Sequence, residues 1–201
     1  MTGTGSPAGP AGYLIRAAAE GDLDAIAEFE IQIARVSFSD DAIVDPALHR
    51  RRVSGALGKP GEIMLVAVAR PDAGPGEENA DAGAGEEDAA AAAGAGDTAA
   101  GAAGTLVGWA WMSPRTNSLT GARYGNFRSL AVADVAGRSQ IGEMLLAAVL
   151  RAAADAGLSQ LTGKVHAGNL GMRSLYRKFG FEAAHLTMEK RLPPGGGPAS
   201  P

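Results

Sequence analysis

The sequence predicts a mixed α/β domain with one central sheet. Apolar segments of strand length alternate with segments in which apolar residues recur at helical spacing. Their order is strand, helix, helix, three strands, helix, strand, helix, strand, which is typical of helices packed on a single sheet. A chain of 201 residues is long enough for one such domain with its own core. We therefore expect a single domain over residues 13–192.

The first three elements are a strand and two helices. Residues 13–18 (YLIRAA) form the predicted strand. Asp22 is the expected N-cap of the first helix, because a carboxylate there can accept hydrogen bonds from the first helical N–H groups. The apolar residues of this helix fall on one face: Leu23, Ile26, Phe29 and Ile33. A second helix is expected to start near Pro46, since proline is favoured in a first turn, and to run through residues 47–57.

Three strands follow, and a segment of unusual composition separates the first from the second. Residues 62–70 (EIMLVAVAR) are strongly apolar, and residues 105–113 (TLVGWAWMS) are their natural hairpin partner. A further strand is expected over residues 124–133. Between the two hairpin strands, residues 71–104 are mostly Ala, Gly, Pro and acidic residues with almost nothing to bury. We expect this insertion to be a disordered loop.

The last third of the chain again alternates helix and strand. An amphipathic helix is predicted from the spacing of Ile141, Met144, Leu145, Ala148, Val149 and Ala152. Gly157 is expected to end it, because glycine readily adopts the left-handed conformation that terminates helices. A strand over 161–167, a short helix over 170–179 and a last strand over 183–192 complete the predicted order.

The acidic residues are concentrated in one segment, so the net charge of the chain does not describe the rest of it. The net charge is −4, but eight of the 22 acidic residues lie in residues 71–104, which contain no Lys or Arg. The rest of the chain then has 18 basic and 14 acidic residues, a net charge of +4. That balance suits a polyanionic ligand but is too small to indicate nucleic acid. A tolerated insertion explains the acidic segment better than a partner-binding loop, since long surface loops cost little.

Composition also excludes several classes of site. The chain has no cysteine, which excludes disulfides and thiolate ligands, and its three histidines lack metal-ligand spacing, so we expect no metal. The N-terminus has no signal-peptide pattern, and no apolar run reaches the roughly 20 residues that span a bilayer. We expect a cytoplasmic protein without a membrane segment. The tails 1–12 and 193–201 are expected to be flexible.

A motif in the last third points to chemistry. The strand 124–133 leads through a short polar loop into the long helix, and such a loop directs N–H groups at an anion, usually phosphate. At the next strand–helix unit the sequence resembles the GNAT acetyltransferase superfamily. That family joins a strand ending in Leu-Ala-Val to a pyrophosphate loop and then to an Asn…Leu-Tyr…Gly-Phe block. The block is present at Asn169, Met172, Leu175, Tyr176, Gly180 and Phe181.

The resemblance covers residues 13–192 apart from the insertion, and it implies a partly splayed sheet and acetyl-CoA as acyl donor. In similar proteins the pantetheine arm pairs with a free strand edge, the loop cradles the pyrophosphate, and the asparagine binds the pantetheine. The residues that it assigns to acetyl-CoA binding are Leu130, Ala131, Val132, Gly137, Arg138, Ser139, Gln140, Ile141, Gly142 and Asn169. Tyr176 would be the catalytic acid for the leaving thiolate. A tyrosine pKa of about 10 against about 8.5 for a thiol permits this without a large driving force.

The sequence departs from the family pattern in three places, one of which is Asp134, where the family usually has a proline after the strand. The loop usually reads (Arg/Gln)-x-x-Gly-x-(Gly/Ala), whereas here Gly137 stands first and Gln140 replaces the inner glycine. A left-handed backbone at Gln140 would cost roughly 1–2 kcal/mol, and Arg138 is expected to compensate as a phosphate partner. Asn126 and Arg128 occupy the strand positions where the family often has a carboxylate base. The carboxylates near the first helices that are candidates to serve as the base instead are Glu28, Glu30, Asp40 and Asp41.

Several alternatives stay open at this point. Tyr176 can be a packed aromatic, although its place in the block favours the acid role, and Asn169 can be a helix N-cap as well as a ligand. Packing is the preferred role of Trp109 and Trp111 over lining an acceptor pocket. The acceptor is expected to be a primary amine on a small molecule or on a protein N-terminus or lysine, and the protein a monomer or homodimer. The alternative function is a non-catalytic CoA-binding sensor or interaction module.

Overall fold

The computed structural model describes residues 12–70 and 104–184 together with Met188 and Lys190. They belong to two compact units, Met1–His166 and Ala167–Pro201. The first unit contains strands β1 (Tyr13–Ala17), β2 (Ile63–Ala69), β3 (Leu106–Thr116), β4 (Arg123–Val132) and β5 (Leu161–Gly163) and helices α1 (Leu23–Phe38), α2 (Pro46–Ser54) and α3 (Arg138–Asp155). The second unit contains helix α4 (Leu170–Lys178).

The five strands form one sheet in the order β1-β2-β3-β4-β5. The first four strands pair in antiparallel fashion, and β5 runs parallel to β4. The mixed sheet with its helices confirms the predicted fold class. Ile63 lies opposite Met112, so β2 and β3 are the hairpin partners that their composition predicted.

The two faces of the sheet carry different cores. On one face, α1 and α2 pack against alternate residues of β2 and β3, and the buried members of this core are Leu23, Ile26, Phe29, Val53, Ala56, Met64, Val66, Val68, Trp109 and Trp111. On the other face, α3 contacts β1 through β4. Its fully buried residues include Ile141, Leu145, Leu146 and Val149. The helical spacing of apolar residues therefore located the buried face of α3.

The start of α1 differs from the prediction. Asp22 is the N-cap residue, but its carboxylate makes no capping bond to α1. A short 3-10 turn, Glu20–Asp22, precedes the helix and gives Asp22 a helical backbone, so its side chain faces backwards. There it accepts a 2.8 Å bond from the Ala19 N–H and forms a two-point ion pair with Arg16 at 2.7 and 2.8 Å. Asp22 thus ties β1 to the helix entry instead of capping the helix.

Other boundaries shift by a few residues. Helix α2 begins at Pro46, as predicted, with the Asp45 side chain accepting from the Ala47 N–H, but it ends at Ser54. Strand β5 is three residues long, shorter than the predicted 161–167. All of the predicted insertion 71–104 except Gly104, all of the predicted tails 1–12 and 193–201 except Gly12, and most of the predicted last strand lie outside the described residues. Within the part that is described, no helix has the length and apolar character needed to cross a membrane.

Candidate active site

Strand β4 has an open edge over its second half. Its parallel pairing with β5 stops at the Phe127–Gly163 pair, while β4 continues to Val132. The Ala133 N–H donates to the Val107 carbonyl on the β3 side, so strand alternation turns the backbone groups of Leu130 and Val132 the other way. The described strands leave that side of β4 unpaired beyond Phe127. This pairing stops because β5 itself ends at Gly163.

A bulge lies at the point where the strands separate. Trp111 is opposite Ser129, whereas the next residue, Met112, is opposite Phe127. Arg128 is the extra residue on β4, and a bulge of this kind bends a strand and strengthens its twist. The bulge therefore lies directly after the last β4 residue that pairs with β5.

After β4, residues 133–136 form a short loop that leads to Gly137, the N-cap of α3. Gly137 has φ 74° and ψ 14°, the left-handed conformation that glycine adopts without strain. The first helical bond runs from the Ile141 N–H to the Gly137 carbonyl at 3.0 Å. The N–H groups of Ser139 and Gln140 come before it, so they have no helical acceptor and point out of the helix start. This turn can bind an anion.

The predicted loop 137–142 is mostly helix. Helix α3 begins at Arg138, three residues earlier than its apolar spacing indicated, and Ile141 and Gly142 are buried in it. Gln140 has an ordinary helical backbone, since Ser39 is the one non-glycine residue with positive φ in the described chain. The expected strain at Gln140 is therefore absent, because the left-handed residue is Gly137 itself. Arg138 is exposed and lies 3.9 Å from the Asp134 carboxylate.

The loop before α3 is also held from β1. The Tyr13 hydroxyl donates a 3.0 Å hydrogen bond to the Ala136 carbonyl, 123 positions away in sequence. This bond fixes the residue that immediately precedes Gly137. The position of the helix start is thus determined by the sheet as well as by the local turn.

In the second unit, Asn169 and Tyr176 lie on one short helix. The Asn169 Oδ1 accepts a 3.0 Å bond from the Met172 N–H, so the N-cap alternative is confirmed. Tyr176 is only 7% exposed, and its ring stacks on Phe181 with centroids 4.6 Å apart. Burial raises the pKa of Tyr176 above its ordinary value. Gly180 adopts φ 76°, and the chain turns so that the Phe181 N–H bonds the Tyr176 carbonyl.

The α1/α2 face of the sheet carries a polar cluster that the sequence did not predict, which we call the tryptophan–carboxylate cluster (Glu30, Glu62, Trp109 and Trp111). Glu30 is buried and accepts from Trp109 Nε1 at 2.8 Å and from the Arg52 guanidinium. Glu62 Oε2 accepts from Trp111 Nε1 at 2.6 Å and from the Ser113 hydroxyl at 2.7 Å. Both tryptophans are core residues, as the preferred interpretation expected.

This cluster changes the list of candidate bases. Glu28, Asp40 and Asp41 are exposed, whereas Glu30 is buried in an ion pair with Arg52. Glu62 was missed because it lies just before β2, and only the strand register brings it to Ser113. Among the described residues no group of three or more His, Asp or Glu side chains is arranged to hold a metal ion.

Comparison with known proteins identifies the family. Residues 67–181 match the sequence profile of the Acetyltransferase (GNAT) family. The chain belongs to this family. No curated protein sequence matches the GNAT chain significantly. Its fold, however, resembles many solved structures.

Three of the similar structures illustrate the range. A possible acetyltransferase from Clostridium difficile 630 has a TM-score of 0.60 at 14% identity, with 90% of this chain and 97% of that one covered. The acetyltransferase from Trypanosoma brucei has a TM-score of 0.57 at 15% identity, covering 90% and 99%. An aminoglycoside antibiotic 6'-N-acetyltransferase from Acinetobacter baumannii has a TM-score of 0.58 at 12% identity, covering 92% and 100%. At these identities the likeness concerns the fold.

Proposed function

We propose that this protein is an acetyl-CoA-dependent N-acetyltransferase that acetylates a primary amine by direct attack. The observation that carries the proposal is the open edge of β4, which leads straight into the left-handed start of α3. In a GNAT chain, such an edge offers backbone groups to which a pantetheine arm can add like a strand. The first turn of α3 offers N–H groups to a diphosphate.

The residues at the end of β4 fit this ligand. Leu130 and Val132 would hold the pantetheine arm through their outward backbone groups, with Ala131 between them paired to β3. The first turn of α3 contains no acidic residue, and its exposed Arg138 supplies a guanidinium for phosphate. Gly137 adds no side chain to the cradle. These features favour a phosphorylated, anionic ligand over a neutral one.

The transfer itself needs few groups from the chain. Acetyl-CoA supplies an activated thioester, so a C–N bond forms as the C–S bond breaks. The amine nitrogen loses one proton as the amide forms, and the leaving sulfur takes one up, so the donor hydroxyl is restored over the cycle. The chain contains no cysteine, so we propose direct attack by the amine without a thioester-linked acyl-enzyme. Asn169 caps α4 through Oδ1, which leaves its amide N–H groups as the donors for the pantetheine arm.

We assign the proton donor to Tyr176. Its raised pKa keeps the hydroxyl protonated at neutral pH. Because a tyrosine pKa lies above that of a thiol, transfer of the proton to a free thiolate is uphill, and burial widens this gap. The hydroxyl therefore acts by donating a hydrogen bond as negative charge develops on sulfur, and the proton follows as the C–S bond breaks.

Replacing this hydroxyl gives a direct test of the assignment. Tyr176→Phe retains the ring that stacks on Phe181, so the fold and the acetyl-CoA affinity should be preserved. The turnover number should fall by roughly 100-fold, the size of a typical general-acid contribution. Steady-state kinetics together with an acetyl-CoA titration separate the two effects. Unaltered turnover would remove Tyr176 from the mechanism.

The experiment that tests the function is release of free CoA thiol from acetyl-CoA across a panel of amines. The panel includes amino acids, diamines, a lysine peptide and an aminoglycoside, the last because one similar structure is an aminoglycoside 6'-N-acetyltransferase. Thiol release that depends on both the amine and the protein is the expected result. Saturable acetyl-CoA binding with no transfer to any amine would instead indicate a CoA sensor.

A further inference from the structure

Three arginines surround the tryptophan–carboxylate cluster on the α1/α2 face of the sheet, and we call them the arginine rim (Arg52, Arg115 and Arg128). The Arg128 guanidinium lies over the Trp111 ring, 4.3 Å from its centroid, and that of Arg52 lies 5.5 Å from the same centroid. Arg115 is four residues beyond Trp111 on β3, so its side chain emerges on the same face. Two of the three cations thus lie against the Trp111 ring, and Arg115 is close enough to add its charge to that of Arg128.

The charge of the rim is only partly neutralised. Glu30 is bound to Arg52, and Glu62 directs its Oε2 toward Trp111 and Ser113, which are neutral donors. Three guanidinium groups therefore face two carboxylates.

Within the described chain no carboxylate lies at ion-pair distance from Arg128. Partial burial lowers the pKa of Arg128, and the nearby charges of Arg52 and Arg115 lower it further, against the opposing effect of Glu62 and Glu30. Since arginine stays protonated at any physiological pH, the excess positive charge persists.

Arg128 also lies next to the part of β4 at which we propose that acetyl-CoA binds. It is the bulge residue of β4, and the open edge that would receive the pantetheine arm starts two residues later, at Leu130. An anionic group held by Arg128 would therefore lie within the length of a short molecule from the thioester. A free guanidinium that is stacked on an aromatic ring presents its fork of N–H donors in a fixed plane, which matches a carboxylate.

We propose that the acceptor is an amine that also carries a carboxylate, and that Arg128 holds this carboxylate in a two-point pair. The inference rests on the proposed acetyltransferase function and names its substrate class. The positive rim has a second consequence, because it disfavours the ammonium form of the bound acceptor and so lowers the pKa of its amine. A neutral amine is the form that attacks. A polycationic amine, in contrast, meets repulsion from the exposed arginines.

The test compares amino acids with their own primary amides, which differ by one negative charge. For each pair, kcat/KM from the thiol-release assay is corrected to the fraction of neutral amine. The acid is expected to exceed its amide by roughly 10- to 100-fold, the usual range for a hydrogen-bonded charge pair. Arg128→Gln should reduce this acid-to-amide ratio to near one, and Arg128→Lys should restore part of it. A general loss of stability would lower both rates and leave their ratio unchanged.

A matched control is Arg50→Gln, which removes an exposed α2 arginine that already pairs with Asp24 at 2.8 Å. Its acid-to-amide ratio should equal that of the wild type. Amides or diamines that react as well as the acids would overturn the inference while leaving the acetyltransferase function intact. So would an unaltered ratio in Arg128→Gln. If acetyl-CoA neither binds nor reacts with any amine, the proposed function fails and takes the inference with it.

Discussion

A negative charge in the first turn of α3 should affect stability and acetyl-CoA binding in opposite directions. Gln140 is exposed in this turn, which contains no acidic residue. In Gln140→Glu the new carboxylate lies at the positive end of the helix, where it stabilises the fold by roughly 0.3–1 kcal/mol. The same carboxylate repels any diphosphate bound there. A purely structural helix start would show the first effect without the second.

The size of the repulsion follows from simple electrostatics. Two unit charges about 5 Å apart interact by roughly 1–3 kcal/mol when the effective dielectric constant is about 80 to 20. The dissociation constant for acetyl-CoA should therefore rise by roughly 5- to 150-fold. Helix stabilisation of 0.3–1 kcal/mol should raise Tm by roughly 1–4 °C for a chain of this size. Because the site is exposed, added salt should reduce the loss of affinity.

Calorimetric titration at two salt concentrations, with thermal unfolding of the same samples, measures both effects. Ala47→Glu is the control, since it places the same charge in the exposed first turn of α2. This variant should gain stability and keep its acetyl-CoA affinity. An unchanged dissociation constant in Gln140→Glu would refute the assignment of the α3 start as the diphosphate cradle.

Two further predictions concern the fold. In Gly108→Ala the added Cβ would lie 2.9 Å from Leu145 Cδ1 and 3.3 Å from Ala67 Cβ, so overpacking should cost roughly 1–3 kcal/mol. Urea unfolding measures this cost, and a wild-type midpoint would contradict it. Burial raises the pKa of Asp22, but its bonds to Arg16 and a backbone N–H outweigh this and hold it below the ordinary value. Stability from this group is complete above about pH 4 and is lost as pH falls through the folded pKa. In Asp22→Asn the free energy of unfolding should depend less on pH in the acid range. The same acid dependence in the variant and the wild type would disprove the linkage.

Periodicity was sufficient to predict the elements of the sheet and the long helix. Gly157, at φ 72°, follows α3 as predicted. The first residue of a helix was predicted less accurately where no proline marks the first turn. Residues 138–140 are compatible with a loop or a first turn, and the left-handed Gly137 decides between them. Asp22 shows the same difficulty, since a nearby arginine competes for its carboxylate.

Only part of the candidate site could be predicted from the sequence. Asn169 and Tyr176 stand in a recognisable block, because their spacing is local. Glu62 comes into the polar cluster through pairing across an insertion of more than 30 residues, which no local pattern encodes. The position of Arg128 on Trp111 likewise depends on a bulge, and one extra residue in a strand changes which neighbours a side chain meets.

Titration of acetyl-CoA into the 201-residue chain by calorimetry tests the central claim most directly. The open edge of β4 and the start of α3 predict saturable binding of one acetyl-CoA per chain, weakened by Gln140→Glu and unaffected by Ala47→Glu. The absence of saturable binding to the folded wild-type protein would contradict the claim.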